Sequence, residues 1–343
     1  MPRLSIASDF DFIHAKIHGL RSRVFERDRL DELCNLRTIE QLWQRIYPDA
    51  EPADHHSLQR RLLADQVHTL DTVRNHLPQR LRPFMDWVVR RFQVENIKVL
   101  LRGWKRREPA ARVAAMLAPL PEDMELPVRA FLAATSLADF LLLVPHRGLR
   151  AAAEEAARHH IETGETFFVE AALDAAFYRI LVERQRELPG PHRHGTEELV
   201  RLEVEAANVL CLFRLKLNYQ MPFDQVQKFL APGFPHPFRL ERLYACEGFE
   251  EMVRLVPAEL LPRERREGLG GIAELERAIW ERLLTVANRC FYRSSGDLGA
   301  VAAFVVIKRV ELANLIRVIE GVRYGMEPGA IRDGLIRVGA AAG

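Results

Sequence analysis

Histidines and carboxylates are the residues through which this chain could do chemistry. Asp11, His14 and His18 fall at i, i+3 and i+7, so one helix face could present all three to a metal ion. Phe10, Ile13 and Ile17 define an apolar stripe beside them, and surface or boundary residues of a packed helix are the preferred reading. His55-His56 and His159-His160 are adjacent pairs, which diverge on a helix and suit chelation poorly. His192-Arg-His194 falls in the stretch Pro189–Gly195, whose prolines and glycines read as a mobile loop. Glu122-Asp123 and Glu154-Glu155 are neighbouring acids in solvated positions and make no general acid/base pair. Cys34, Cys211, Cys246 and Cys290 are scattered without a C-x-x-C pair, which fits free thiols in a reducing cytoplasm. No G-x-x-x-x-G-K-[ST], G-x-S-x-G or H-E-x-x-H pattern occurs, and Gly268-Leu-Gly-Gly271 is too short to cradle a phosphate. No catalytic, cofactor-binding or metal-binding residue is therefore expected.

Composition narrows the partners. The 343 residues carry 49 basic and 47 acidic side chains, a balance that argues against a dedicated nucleic-acid binder. The apolar stretch Phe131–Pro145 is broken by Ser136 and Asp139, and Leu298–Ile307 is too short, so no direct membrane span is expected.

The elements that must position any site are helices. Phe10, Ile13, Ile17, Leu20 and Val24 share one helical face. Thr38-Ile-Glu-Gln41 reads as a capping box opening a helix that carries Leu42, Trp43 and Ile46. The alanine-rich tracts Ala110–Ala118 and Ala151–Ala157 favour helix, and strand-like alternation is rare.

Three of the helical stretches share a signature. They read Gln93-Val-Glu-Asn-Ile-Lys-Val-Leu-Leu-Arg102, Glu205-Ala-Ala-Asn-Val-Leu-Cys-Leu-Phe-Arg214 and Glu311-Leu-Ala-Asn-Leu-Ile-Arg-Val-Ile-Glu320. Asn96, Asn208 and Asn314 stand 112 and 106 residues apart, so three units of similar length account for nearly the whole chain. Within each unit the asparagine shares a face with the acid or amide three before it and lies at the edge of an apolar stripe. Its amide is placed to tie a helix end or a neighbouring carbonyl across a packing seam. The expected divisions are 1–118, 119–235 and 236–343.

The sequence resembles the C-subunit family of the V/A-type ATPases, represented in the eukaryotic enzyme by the d subunit. Asn96-Ile-Lys-Val-Leu-Leu-Arg-Gly103 is similar to its recurrent segment, and Lys308-Arg-Val-Glu-Leu-Ala-Asn-Leu-Ile-Arg317 is similar to its last copy. Phe12–Val24 resembles the family's first helix, apart from His14 and His18, and the likeness runs from near Asp9 to near Ile336. The resemblance implies an all-α fold of three similar helical domains, arranged with pseudo-threefold symmetry around a central funnel. It implies a non-catalytic central-stalk subunit of a rotary ATPase or ATP synthase. Such a protein links D/F-type stalk subunits to the membrane rotor ring proteolipid, transmits torque for proton or other ion transport, and is cytoplasmic and peripheral to the membrane. Arg102, Arg214 and Arg317 are then candidates to line the funnel, although Arg317 occupies a different signature position; a helix-end or ion-pair role is the preferred reading. The alternative is an all-helical scaffold or adaptor binding another partner; a solenoid of that kind has periods of roughly 35 to 45 residues, far shorter than the spacing here.

Overall fold

Apolar residues recurring every three or four positions, with few β-branched runs between turns, leave helix as the way to bury a continuous face. A computed structural model describes residues 9–232, 237–294 and 296–338. Among these the protein forms seventeen α-helices and three short 3-10 turns, and no strand. The expected boundary at 235/236 lies outside the described residues.

The chain divides into two units. The first gathers described residues from 1–85, 189–199 and 280–343. Its core joins the two ends of the sequence: Leu30, Leu33, Leu42, Trp43, Leu58 and Leu62 pack with Leu315, Val318, Ile319, Val322, Ile331 and Leu335. The contributing helices are Arg27–Cys34, Ile39–Ile46 and His55–His76 from one end, and Gly299–Arg323 and Pro328–Asp333 from the other. Ion pairs reinforce the join, because Asp31 accepts hydrogen bonds from Arg337 and lies 3.3 Å from Arg332. The hydrogen bond from Arg337 holds the Asp31 carboxyl below the usual carboxylate range, against the opposing effect of burial.

The second unit is built from 86–188 and 200–279. Trp87 donates its indole N–H to the carbonyl of Phe177 (2.8 Å), and an ionic ladder continues along the same seam between helices Arg82–Arg106 and Phe167–Arg186. Arg91 donates to the Tyr178 hydroxyl (2.7 Å), and Lys98 donates to Asp174 (3.0 Å) and Glu95 (3.0 Å). Burial opposes the charge on Lys98, yet Asp174 and Glu95 outweigh it and hold its pKa up.

Several local expectations need correction. The first helix, Asp9–Arg21, buries Phe10, Ile13 and Ile17 but ends before Val24. The Ala110 tract is helical only to Met116, where Leu117 turns extended. The stretch Pro189–Gly195 is not a loop: helix Gly190–Leu217 starts within it. Prolines are tolerated there because the first turn's N–H groups have no intrahelical acceptor. Gly195 is required by space, since a Cβ would collide with the Asp297 carboxylate.

That helical start buries His192. Its ring lies 5.2 Å from Phe10, and its Nδ1 is buried without a hydrogen-bond partner. His18 packs 4.5 Å from Phe291 and 4.7 Å from His14, whose Nε2 donates to the Ser294 carbonyl (3.2 Å). Burial is the main cause that lowers the pKa of both His18 and His192 below 6.5, aided by His14 and Arg80 respectively, while Asp297 opposes at His192. A depressed folded-state pKa means that the unfolded chain takes up the proton first as pH falls. The thermal midpoint is therefore expected to be flat around neutrality and to fall as pH drops below 6.5. This window is distinct from that of Asp31, whose contribution is lost only below its ordinary value of 3.8. His192→Phe should flatten the upper window in a calorimetric pH series; an unchanged slope would contradict the assignment.

Candidate functional site

The signature asparagines are buried, at 4%, 2% and 3% exposure for Asn96, Asn208 and Asn314, and each closes the same bidentate clamp. Asn96 donates from Nδ2 to the carbonyl of Ala118 (2.8 Å) and accepts at Oδ1 from its N–H (2.8 Å). Asn208 binds Ala231 in the same way, at 2.9 and 2.8 Å. Asn314 binds Ile336, at 2.8 and 2.8 Å. At neutral pH a carboxamide offers a donor and an acceptor side by side, so it satisfies both polar groups of one buried peptide position.

The chain between asparagine and clamped residue follows a similar path three times, one residue longer in the second copy. Each signature helix, Arg82–Arg106, Gly190–Leu217 or Gly299–Arg323, ends beside one residue in the left-handed region: Arg107 (φ 54°), Gln220 (48°) or Gly325 (65°). The following N–H reaches back to the helix, Glu108 to Gly103 (2.9 Å), Met221 to Leu215 (3.2 Å) and Met326 to Gly321 (2.9 Å). These bonds satisfy carbonyls that a helix end leaves open. A proline, Pro109, Pro222 or Pro328, then starts a short helix, after which the backbone passes the asparagine. The first and third copies pack this short helix through a glycine, with Gly103 against Val113 and Gly321 against Ile331.

The residue three before each asparagine is buried on the same face. Gln93 donates to the Met124 carbonyl (2.7 Å), Glu205 accepts from Arg201 (3.0 Å), and Glu311 accepts from the Phe25 N–H (2.6 Å). Six residues after each asparagine stand Arg102, Arg214 and Glu320. Arg102 grips Glu170 with two bonds (2.9 and 2.6 Å), Arg214 donates to Glu276 (2.8 Å), and Glu320 accepts from Gln59 (2.6 Å). The Glu170 bond is the first cause that holds the Arg102 pKa up. Arg317 lies one turn earlier on its helix and is exposed, so the corresponding position of the third copy is Glu320.

These partners are ordered. Glu170 precedes Asn208 by 38 residues, Glu276 precedes Asn314 by 38, and Gln59 precedes Asn96 by 37. Each signature helix thus bonds the helix that precedes the next signature helix, and the third returns to the first.

A second motif, not recognised as a repeat from residue spacing, follows the same order. Thr38, Ser136 and Gly248 each N-cap a short helix, with Leu42, Phe140 and Met252 fully buried four residues on. Thr38 accepts from the Gln41 N–H (3.2 Å) and Ser136 from the Asp139 N–H (3.1 Å), while Glu251 reaches back to the Glu247 N–H (2.9 Å). Phe140 packs 5.6 Å from Trp104, Phe249 packs 5.6 Å from Phe213, and Leu42 and Trp43 join the cluster of Leu315 and Ile319. The pattern [TSG]-[ILF]-x-[QDE]-[LFM] was the available signal, weak because the cap residue differs in every copy.

Among the described residues, no group of three His, Cys, Asp or Glu side chains is placed to hold a metal ion, and Asp11 is exposed. The rings of His55 and His56 lie 3.9 Å apart, tilted at 37°, and the side chains of His159 and His160 lie outside the described residues. Burial pushes the Cys211 thiol up to about 12, which leaves it unreactive. A depression of about 180 Å³ between helices Arg147–Thr163 and Phe167–Arg186 is lined by alanines, with Glu155, Arg179 and Lys228 among its polar residues. No helix of the described residues is long and apolar enough to cross a membrane.

Comparison with known proteins gives one consistent answer. The chain is similar to the C subunit of the A-type ATP synthase of Thermococcus kodakarensis, 21% identical over 94% of this chain and 89% of the relative. It is similar to that of Methanothermobacter thermautotrophicus, 23% identical over 93% and 85%. A shorter match, 26% identical over 49% of this chain and 48% of the relative, links it to that of Methanosarcina mazei. The family model described as ATP synthase (C/AC39) subunit matches residues 13–334, and the chain belongs to that family.

Proposed function

We propose that this chain is a non-catalytic central-stalk subunit of a rotary V/A-type ATPase or ATP synthase. Its three repeats, 1–118, 119–235 and 236–343, form a pseudo-threefold body around a central funnel. The funnel seats D/F-type stalk subunits, the opposite side docks on the rotor ring proteolipid, and the body passes torque between them during ion transport. It acts at the cytoplasmic side of the membrane, held there by its partners.

The observation that carries this reading is the cyclic order of the bonds made six residues after each asparagine. A linear array of repeats leaves its first and last members unpaired. Here the third signature helix bonds the helix ahead of the first through Glu320 and Gln59 (2.6 Å). Such closure suits a socket that must not splay under torque, because close-packed interiors transmit strain rather than absorb it. Arg102 and Arg214 serve as ties between successive repeats. Asn96, Asn208 and Asn314 keep each repeat's last turn in place. None of the six signature residues contacts substrate in this scheme.

The test is co-purification from native membranes. The tagged chain should bring down the stalk subunits and the ring together, at stoichiometric yield. Recovery of neither, from a preparation in which the intact rotary complex is otherwise present, would refute the reading.

A further inference from the structure

The turns that end the second and third signature helices carry the same pair of side chains. Tyr219 and Met221 flank the left-handed residue Gln220; Tyr324 and Met326 flank Gly325. In the second copy Tyr219 is packed by aromatic rings of the chain and Met221 is buried. Phe167 stacks on Tyr219 at 4.5 Å and 14°, Phe168 lies 5.1 Å away, and Met221 is 7% exposed. The covering segment is Glu165-Thr-Phe-Phe-Val-Glu170, and its carboxylates act on Tyr219: after burial, Glu165 and Glu170 are the charges that raise its pKa. In the third copy the same pair is open, with Tyr324 69% and Met326 44% exposed. Phe167 stands 41 residues before Asn208, and the residue 41 before Asn314 is Ala273, so the chain supplies no aromatic at the matching position. Arg323 adds a positive charge over the Tyr324 ring (5.1 Å).

We infer that the Tyr324–Met326 turn is a docking patch for an acidic-aromatic segment of another protein chain, which stacks an aromatic ring on Tyr324 as Phe167 stacks on Tyr219. The argument for this occupant is internal. Of the three such turns two carry the Tyr–Met pair, and the covered one displays the chemistry that fits: a phenyl ring between two carboxylates. An exposed Tyr–Met pair beside an arginine is also the kind of surface that anchors protein contacts, since aromatic and methionine side chains bury large area and arginine pairs with acids. A carboxylate beside the incoming ring would share Arg323 with its own-chain partner Glu320 (3.3 Å).

The probe is the hexapeptide Glu-Thr-Phe-Phe-Val-Glu, titrated by fluorescence anisotropy into the full chain. Saturable one-to-one binding is expected, weakened at least about tenfold by the double variant Tyr324→Ser/Met326→Ser. Replacing both phenylalanines of the peptide by alanine should abolish binding. Leu142→Ser, which removes another exposed apolar side chain, should leave it unchanged. The substituted residues are exposed, and circular dichroism verifies that each variant stays folded. Failure of the peptide to saturate, or equal binding to the double variant, would overturn the inference. The titration uses no rotary complex, so it is read independently of the co-purification that tests the torque-bearing role.

Discussion

Asn208→Leu lowers the thermal midpoint by about 3–8 °C, because it strips the partners from a buried peptide group without removing the group itself. The N–H and carbonyl of Ala231 each lose one bond, at 2.8 and 2.9 Å, in a position where Ala231 is 4% exposed. An orphaned buried donor or acceptor costs about 1–3 kcal/mol, so the pair amounts to roughly 2–6 kcal/mol. Leucine keeps the branched outline of asparagine, which makes lost hydrogen bonding the main effect. Asn208→Asp separates the two bonds. The carboxylate still accepts from the N–H but sets a charge against the carbonyl, so at neutral pH it should be at least as damaging as leucine. Lowering the pH toward protonation of the new carboxyl should recover part of the loss. The same substitutions at Asn96 and Asn314 should cost similar amounts, because all three clamps share geometry and burial. Differential scanning calorimetry with urea titration reads all six variants. A midpoint within about a degree of wild type for Asn208→Leu would show that the clamps do not hold the repeats together.

Gly321→Ala should destabilise the protein, against the ordinary trend. Replacing a helical glycine by alanine gains about 1 kcal/mol from propensity alone. Here the added Cβ would stand 2.6 Å from Cγ1 and 2.9 Å from Cδ1 of Ile331. Ile331 is buried and belongs to the core that joins the two ends of the chain. Forced repacking of that kind costs about 1–3 kcal/mol, which outweighs the propensity gain. Ile331→Ala alone opens a cavity and should cost about 2–5 kcal/mol. The double variant should cost less than the sum of the singles, since each change relieves the strain or void left by the other. Gly103→Ala against Val113 repeats the experiment in the first copy, with the nearest methyl carbon also at 2.6 Å. A Gly321→Ala protein that melts higher than wild type would remove the close helix approach from the account of the fold. The second copy carries Leu215 at this position, and its short helix, Phe223–Val226, has only four residues. The copies therefore share the asparagine clamp without sharing every packing solution.

The helical class, the three asparagines with their apolar stripes, and the likeness to one family are legible in residue order alone. Those features depend on periodicity and on residue identity at fixed short spacing, which are written along the chain. What the asparagines hold emerges only once the chain is folded. Their partners are backbone groups of Ala118, Ala231 and Ile336, 22 or 23 residues away, and a backbone acceptor leaves no trace in residue type. Folding also gives Glu320, which residue spacing alone sets opposite Arg102 and Arg214, its partner Gln59, and makes His192 a buried helical residue rather than part of a loop. Proline and glycine near 190 have the same local preferences in a loop as in a first helical turn; the packing of Phe10 and Asp297 against that turn selects the helix.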